Sequence, residues 1–289
     1  CTPFGPGCGF CVPIPPTAGA PNAQFQNLGA VRNQGIEVTL NTQVFTGSNF
    51  SWDATLTGSF LKNRLTDLGG QAPINLNGTD QRAVEGYVLG GYWARSIKGW
   101  SDANGDGVIS GTEVQITDTL EFQGASQPTR ELGLNTSMGF LSGRVRVAAQ
   151  LDYRGGHKLY NLNEEFRCRS QFNCIGMYDA NASEFERVRA VAVAFAPAAV
   201  RTNAGYFEDA EFLKLREVSV TLQAPDAWTQ RLGLGRASLT VAGRNLHTWT
   251  GYSGLDPELN GQGQGNFAQR EFLTQPPTRN FSARLNVNF

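Results

Sequence analysis

Residues 131–153 read ELGLNTSMGFLSGRVRVAAQLDY. Leu132, Leu134, Met138 and Phe140 fall on one parity, away from Glu131, Asn135 and Ser137. After Leu141-Ser142-Gly143, the residues Val145, Val147, Ala149, Leu151 and Tyr153 oppose Arg144, Arg146, Gln150 and Asp152. Successive side chains of a strand point to opposite faces, so this period of two describes a pair of strands with unlike faces joined by a tight turn.

The pattern recurs on both sides of that pair. Ile36, Val38, Leu40 and Val44 alternate with Glu37, Thr39, Asn41 and Gln43, and Phe50 to Phe60 repeats it. Ala237, Leu239, Val241 and Gly243 oppose Ser238, Thr240 and Arg244. At the end, Phe281, Ala283, Leu285, Val287 and Phe289 oppose Ser282, Arg284, Asn286 and Asn288. Phe212–Leu222 is less clean, because Lys214 and Arg216 share the parity of Val218, Val220 and Leu222. A charged half standing above a membrane accommodates that.

Alternation alone does not separate a soluble core from lipid. Length does: each segment runs about 10 residues, what a tilted strand needs to cross a bilayer and more than soluble strands use. The connections alternate too: short at 46–49 and 141–143, moderate at 223–236, long at 61–130, 154–208 and 250–278. Short turns on one side and long loops on the other are the habit of outer-membrane barrels. With the last strand ending at the periplasm, the long loops are expected outside the cell.

Composition agrees. Of 289 residues, 17% are charged, the net charge is −1, Gly numbers 34 and Phe 18. That mix favours strands and turns, and it supplies no basic stripe for nucleic acid. The longest apolar stretch, 190–200, is interrupted by Pro197, far short of the roughly 20 residues of a spanning helix. Seven strands leave two unpaired edges in lipid, and bacterial single-chain barrels use even numbers. The chain, which opens at Cys1 without an initiator Met, is therefore expected to be an all-β piece of a transmembrane antiparallel barrel, its C-terminal part. Residues 1–33 read as an extracellular Cys/Pro/Gly-rich loop and 34–289 as barrel. Among five cysteines, Cys168 and Cys174 form the easier disulfide to propose, as an oxidising compartment permits.

Several stretches resemble the SusC/RagA family of TonB-linked outer-membrane importers. They are GAVRNQGIEVTLN at 29–41, the glycine/aromatic segment at 86–113, DAEFLKLREVSVTLQAP at 209–225 and VAGRNLHTWTGYSGLDPE at 241–258. The terminal segment, with Phe281, Leu285, Val287 and Phe289, resembles the signal that such proteins present to the barrel assembly machinery. The resemblance implies a larger plugged barrel, import of glycans or peptides, TonB as energy source through an N-terminal part, and a SusD-like surface lipoprotein as partner. A receptor for metal chelates or vitamins is the rival within that class. A secreted calcium-binding β module for carbohydrate is the rival of another class, and the final aromatic and loop rhythm oppose it.

Residues 102–113, DANGDGVISGTE, meet the spacing of a calcium loop. Asp102, Asn104, Asp106, the Val108 carbonyl, Ser110 and Glu113 supply oxygens at positions one, three, five, seven, nine and twelve, with Gly107 at the sharp turn. An acidic Asx/Gly turn without metal is the alternative, and the flanks are extended rather than helical. A bound Ca²⁺ is expected to be structural, ordering a long loop. His157 and His247 read as bland surface or interface residues, and the neighbours Glu164 and Glu165, taken as extended, point apart. No enzyme chemistry is expected. Tyr87, Tyr92, Trp93, Trp100, Trp249 and Tyr252 read as girdle or loop-packing aromatics, and Arg144, Arg146, Arg244 and Arg284 as lumenal wall.

Overall fold

The computed structural model describes residues 11–12, 24–25, 29–77, 80–261 and 269–288. Seven long strands form one antiparallel sheet: β1 (Ala30–Thr46), β2 (Phe50–Asp67), β3 (Arg130–Phe140), β4 (Val145–Gly155), β5 (Phe212–Gln223), β6 (Arg236–Thr250) and β7 (Asn280–Asn288). Each pairs with the next in sequence, and the sheet is open at β1 and β7.

Register aligns the alternating residues into rows. Leu40, Leu56, Leu134, Leu151 and Leu215 lie opposite one another across five strands on one face. Asn41, Thr55, Asn135, Gln150 and Glu217 form the neighbouring row on the other. Among the described residues nothing covers the first face: Ile36 is 67% exposed and Leu285 69%. In water each such side chain would forgo roughly 1.5–3 kcal/mol of burial, so a continuous apolar face of this extent belongs against hydrocarbon.

The strands exceed the expected length. β1 has 17 residues and β2 has 18. At about 3.3 Å per residue β2 runs roughly 60 Å, well beyond a bilayer's apolar band even when tilted. Their upper thirds therefore stand clear of it, and β1 starts at Ala30, ahead of the boundary drawn at residue 34.

One end of the sheet carries tight turns. Leu141, Ser142 and Gly143 take φ of 53°, 56° and 84°, the left-handed sense that closes a short hairpin in keeping with the strands' twist. The turn after β5 holds the short helix Asp226–Arg231. The other end carries the described residues of the connections 68–129, 156–211 and 251–279, and these pack on one another.

Within them a four-stranded sheet is built from Ile74–Asn77, Gln81–Ala83, Gly91–Ala94 and Glu121–Gly124. The fold is mostly strand, as expected, and the second connection adds short helical segments, Leu162–Phe166, Arg167–Gln171, Ile175–Tyr178 and the 11-residue helix α1 (Glu184–Ala194). α1 begins at an N-cap: the Ser183 hydroxyl accepts the Glu186 amide at 3.2 Å, and an Ala-rich run follows. Its Val193 and Ala190 join Tyr92, Tyr160, Tyr206 and Phe207 in a buried core made wholly of loop residues. The strand Lys158–Asn161 is flanked by Phe207–Asp209 and by Arg270–Glu271, which ties the second connection to the third.

Candidate functional site

The irregular parity of Phe212–Leu222 is resolved by a β-bulge. Gln150 of β4 pairs with Glu217 and Leu151 with Leu215, so Arg216 has no partner in the ladder. One extra residue moves every side chain beyond it to the opposite face. Leu213 and Leu215 thus turn outward while Lys214 and Arg216 turn inward, which corrects the expectation that both cations share the face of Val218 and Val220. On β6 the register jumps from Arg244 to His247 at the same level, with Asn245 at φ 53°. Two extra residues preserve parity there, so His247 and Trp249 remain outward beside Leu215 and Leu213.

Turned inward, the two cations meet acids from the third connection. Lys214 Nζ lies 2.6 and 2.7 Å from the Asp256 carboxylate and 2.7 Å from Glu258. Arg216 grips Glu258 bidentately, at 2.6 Å for both bonds, and donates Nε to Asp152 on β4 at 2.8 Å. Arg154 reaches Glu258 at 3.4 Å. Burial alone would raise the Glu258 carboxyl, but hydrogen bonds from Arg216 and Lys214 outweigh it and hold its pKa at about 2. Lys214 is 5% exposed. A cation so enclosed is tolerable only while its acids stay paired with it. The cluster therefore clamps residues 256–258 to the wall. Both partner segments lie within the quoted stretches 209–225 and 241–258, yet the sequence reading gave these residues no role. The signal was present in the two cations that broke the parity and in the acids of Asp256-Pro257-Glu258.

A second anchor is Glu271, which is wholly buried. It accepts from Asn163 Nδ2 at 2.8 Å and from the Leu255 amide at 3.1 and 3.2 Å. Tyr92, from the first connection, donates its hydroxyl to the Gln269 carbonyl. All three long connections are thereby joined.

Residues 102–113 form the loop of a hairpin between Ile97–Trp100 and Val114–Ile116. Asp102 accepts the amides of Gly105, Asp106 and Gly107 at 2.7, 3.1 and 2.8 Å. Asn104 accepts Asp106 at 3.0 Å and Asp106 accepts Val108 at 2.8 Å. Glu113 folds back to the amides of Ala103 and Ser110 at 2.9 and 2.8 Å, and hydrogen bonds from Ser110, main chain first, hold its carboxyl below the usual range. Gly105 and Gly107 sit at φ 74° and 81°, where a side chain would strain the turn. The donor set is oxygen throughout and arranged around an exposed turn, a composition that suits a hard divalent cation. The same Asx turns also serve an acidic loop without metal.

Cys168 and Cys174 are joined at 2.03 Å beneath α1, in the same buried core. The Glu164 carboxylate lies within 4.8 Å of both sulfurs, but bonded sulfurs leave no thiolate for a metal. Glu164 and its neighbour are helical rather than extended, which corrects the sequence reading. They still diverge: Glu164 pairs with Arg167 and Glu165 with Arg169. Burial raises the Glu165 carboxyl despite that arginine.

Tyr92, Trp93 and Tyr252 are buried in loop packing, whereas Trp249 stands outward on β6. His157 is nearly buried, which pushes its pKa down to about 4 against the pull of Asp209. Arg146 and Arg284 face inward in one row with Thr221 and Thr240, and Arg244 pairs with Glu217 at 2.5 Å. Arg144 falls in the turn before β4, outside the wall, because the strand starts at Val145. Phe281 and Leu285 stand outward on β7, and Val287 shares their parity opposite Ala237. Phe289, Cys1 and Cys8 lie outside the described residues.

No family model matches the chain. Two curated proteins of Formosa agariphila do: TonB-dependent receptor P26, 26% identical over 96% of this chain, and TonB-dependent receptor P3, 23% identical over 97%. The chain spans 31% of the length of each. Among solved structures, the RagAB peptide importer in its closed-closed state superposes with a TM-score of 0.71 at 19% identity, covering 96% of this chain and 32% of that one. The open-open state gives 0.71 at 18% identity, over 96% and 31%. The matched proteins are receptors and importers by name, not enzymes. Along nearly its whole length this chain is similar in sequence to TonB-dependent receptors, and its open seven-stranded wall with an uncovered apolar face shares the fold of the solved barrels.

Proposed function

We propose that the chain is wall and external loops of an outer-membrane importer of large nutrients, glycans or peptides, working with a SusD-like surface lipoprotein. The observation that carries this reading is the fusion, at one end of a lipid-facing sheet, of three long connections into a single packed body. Loops meant only to join strands need no core. Loops that present a fixed surface to a partner and a large solute do. The likeness to an importer of peptides supports the same direction. In this reading the packed end faces outward from the cell, and TonB acts through parts of the protein beyond this chain. The residues ahead of β1 are external, and the outward aromatics and aliphatics of β7, together with Phe289 after it in sequence, are read by the barrel assembly machinery.

Asp102, Asn104, Asp106, the Val108 carbonyl, Ser110 and Glu113 would hold one Ca²⁺, whose charge would brace the hairpin loop. The full-length protein with Asp106→Ala is expected to lose calcium-dependent protection of this loop from protease, the wild type becoming equally sensitive in chelator.

The test of the whole reading is affinity purification of the full-length protein from detergent-solubilised outer membranes. A stoichiometric surface lipoprotein supports it. A barrel that emerges alone favours a receptor for chelates or vitamins, and absence from the outer membrane removes the importer reading.

A further inference from the structure

Above its apolar rows the outward face of β1 and β2 turns basic. Arg32 lies directly opposite Arg64 and Gln34 opposite Lys62, the pairs that follow Ile36–Phe60 in steps of two along the ladder. The register is unbroken between Val31 and Gln43, so these residues keep the lipid-facing parity of Ile36 and Phe60. All four are exposed, and with Thr66, Glu85 and Gly86 they line a depression of about 560 Å³.

Like charges placed directly across a strand pair repel. Among the described residues, no ion pair or side-chain hydrogen bond engages Arg32, Lys62 or Arg64. Glu85, the acid at the edge, is occupied by the Leu68 amide at 2.6 Å. Three cations are thus held together around a space of headgroup size lined by a single carboxylate, Glu85, which leaves a net positive charge there.

Their level identifies the ligand. Phe50 to Phe60 covers about ten steps of strand, roughly 33 Å, or about 24 Å of height at a 45° tilt, close to the apolar band of a barrel. Lys62 then sits about 5 Å above that band and Arg64 about 9 Å, the depth of the polar headgroup layer. Guanidinium groups at that depth match phosphate oxygens in geometry as well as charge.

We propose that Arg32, Lys62 and Arg64, with Gln34 beside them, bind the phosphate of an outer-leaflet lipid headgroup. The proposal rests on the outer-membrane orientation above and adds a specific lipid contact to it.

The experiment compares the full-length wild type with the triple variant Arg32→Gln, Lys62→Gln, Arg64→Gln. Each is incubated in detergent with bisphosphorylated lipid A, its dephosphorylated counterpart or inorganic phosphate, and retained ligand is read by native mass spectrometry. The wild type should retain the phosphorylated lipid, and the triple variant should retain roughly tenfold less or lower still. Outward migration to the outer membrane and heat-modifiable mobility establish that the variant is assembled; Lys62→Gln alone serves if it is not. The lumenal pair Arg146→Gln, Arg284→Gln should leave retention unchanged. Equal retention by the triple variant overturns the proposal, as does equal retention of the dephosphorylated lipid or binding of inorganic phosphate only. A wild type that co-purifies its lipoprotein yet shows no charge-dependent lipid retention sinks this inference alone. A wild type absent from the outer membrane sinks the importer reading as well.

Discussion

The wall and the loop body are organised in opposite senses. Along β1 to β7 the apolar residues point away from the chain, as Ile36, Leu56 and Leu285 show, and the polar ones toward its concave side. In the loop body the apolar residues point inward, with Tyr92, Tyr206, Val193 and Phe207 enclosed, as in a soluble protein. The difference follows from the solvent each region meets. Hydrocarbon makes an outward leucine favourable and demands that every backbone group be paired within the sheet. Water demands a core and tolerates irregular backbone. The Lys214–Asp256–Glu258–Arg216 cluster sits at the seam, where a bulge turns one strand from the first logic to the second.

The largest break expected is at that seam. Lys214→Ala leaves Asp256 without its main partner in a nearly closed site, an uncompensated charge worth about 3–5 kcal/mol. Hydrogen exchange should show residues 251–260 opening while the β3–β4 amides stay protected; uniform loss across both would mean that the regions are not separable. Acid should do the same more gradually. Glu258 has a folded pKa depressed below its unfolded value, so its stabilisation is complete above the ordinary carboxylate range and is lost as pH falls toward about 2.

In the wall, Leu56→Arg places a charge near the middle of the apolar face, for a cost of about 2–4 kcal/mol. It should lower assembly yield in membranes without altering the protease pattern of loops that do assemble. Were Leu56 facing a protein core instead, the loops would fail with it.

Cys174→Ser releases a bond closing a loop with a sequence separation of 6, worth about 2 kcal/mol in the loop-entropy account. Its effect should appear as faster proteolysis between residues 162 and 194 only. The smallest change is Ser183→Ala, which removes the cap of α1 at a cost of about 1 kcal/mol. Exchange in the first turn of α1 should rise, with no effect transmitted to the sheet.

Much of the wall was legible because its determinants are local. Parity along Val145–Tyr153 or Phe281–Val287 needs no knowledge of the neighbour, and the register found between strands aligns the apolar rows so read. The loop body was not legible. α1 carried a local signal in Ser183-x-x-Glu186, but its Ala-rich continuation also reads as a weak apolar run. The short strands Gln81–Ala83 and Arg270–Glu271 carry too few residues for any period to show. Of the charge cluster, the sequence displayed both halves as separate motifs; their partnership spans some forty residues and is visible only in space.

By itself the sequence determined which segments are strands, which face of each is apolar and where the long connections fall, because alternation is a property of neighbouring residues in a ladder. Only the tertiary structure decided that Arg216 is bulged, that Lys214 therefore meets Asp256, and that the first two loops share one core to which the third is tied. Those outcomes depend on which distant groups satisfy a buried charge or fill a cavity, and no local pattern encodes that choice.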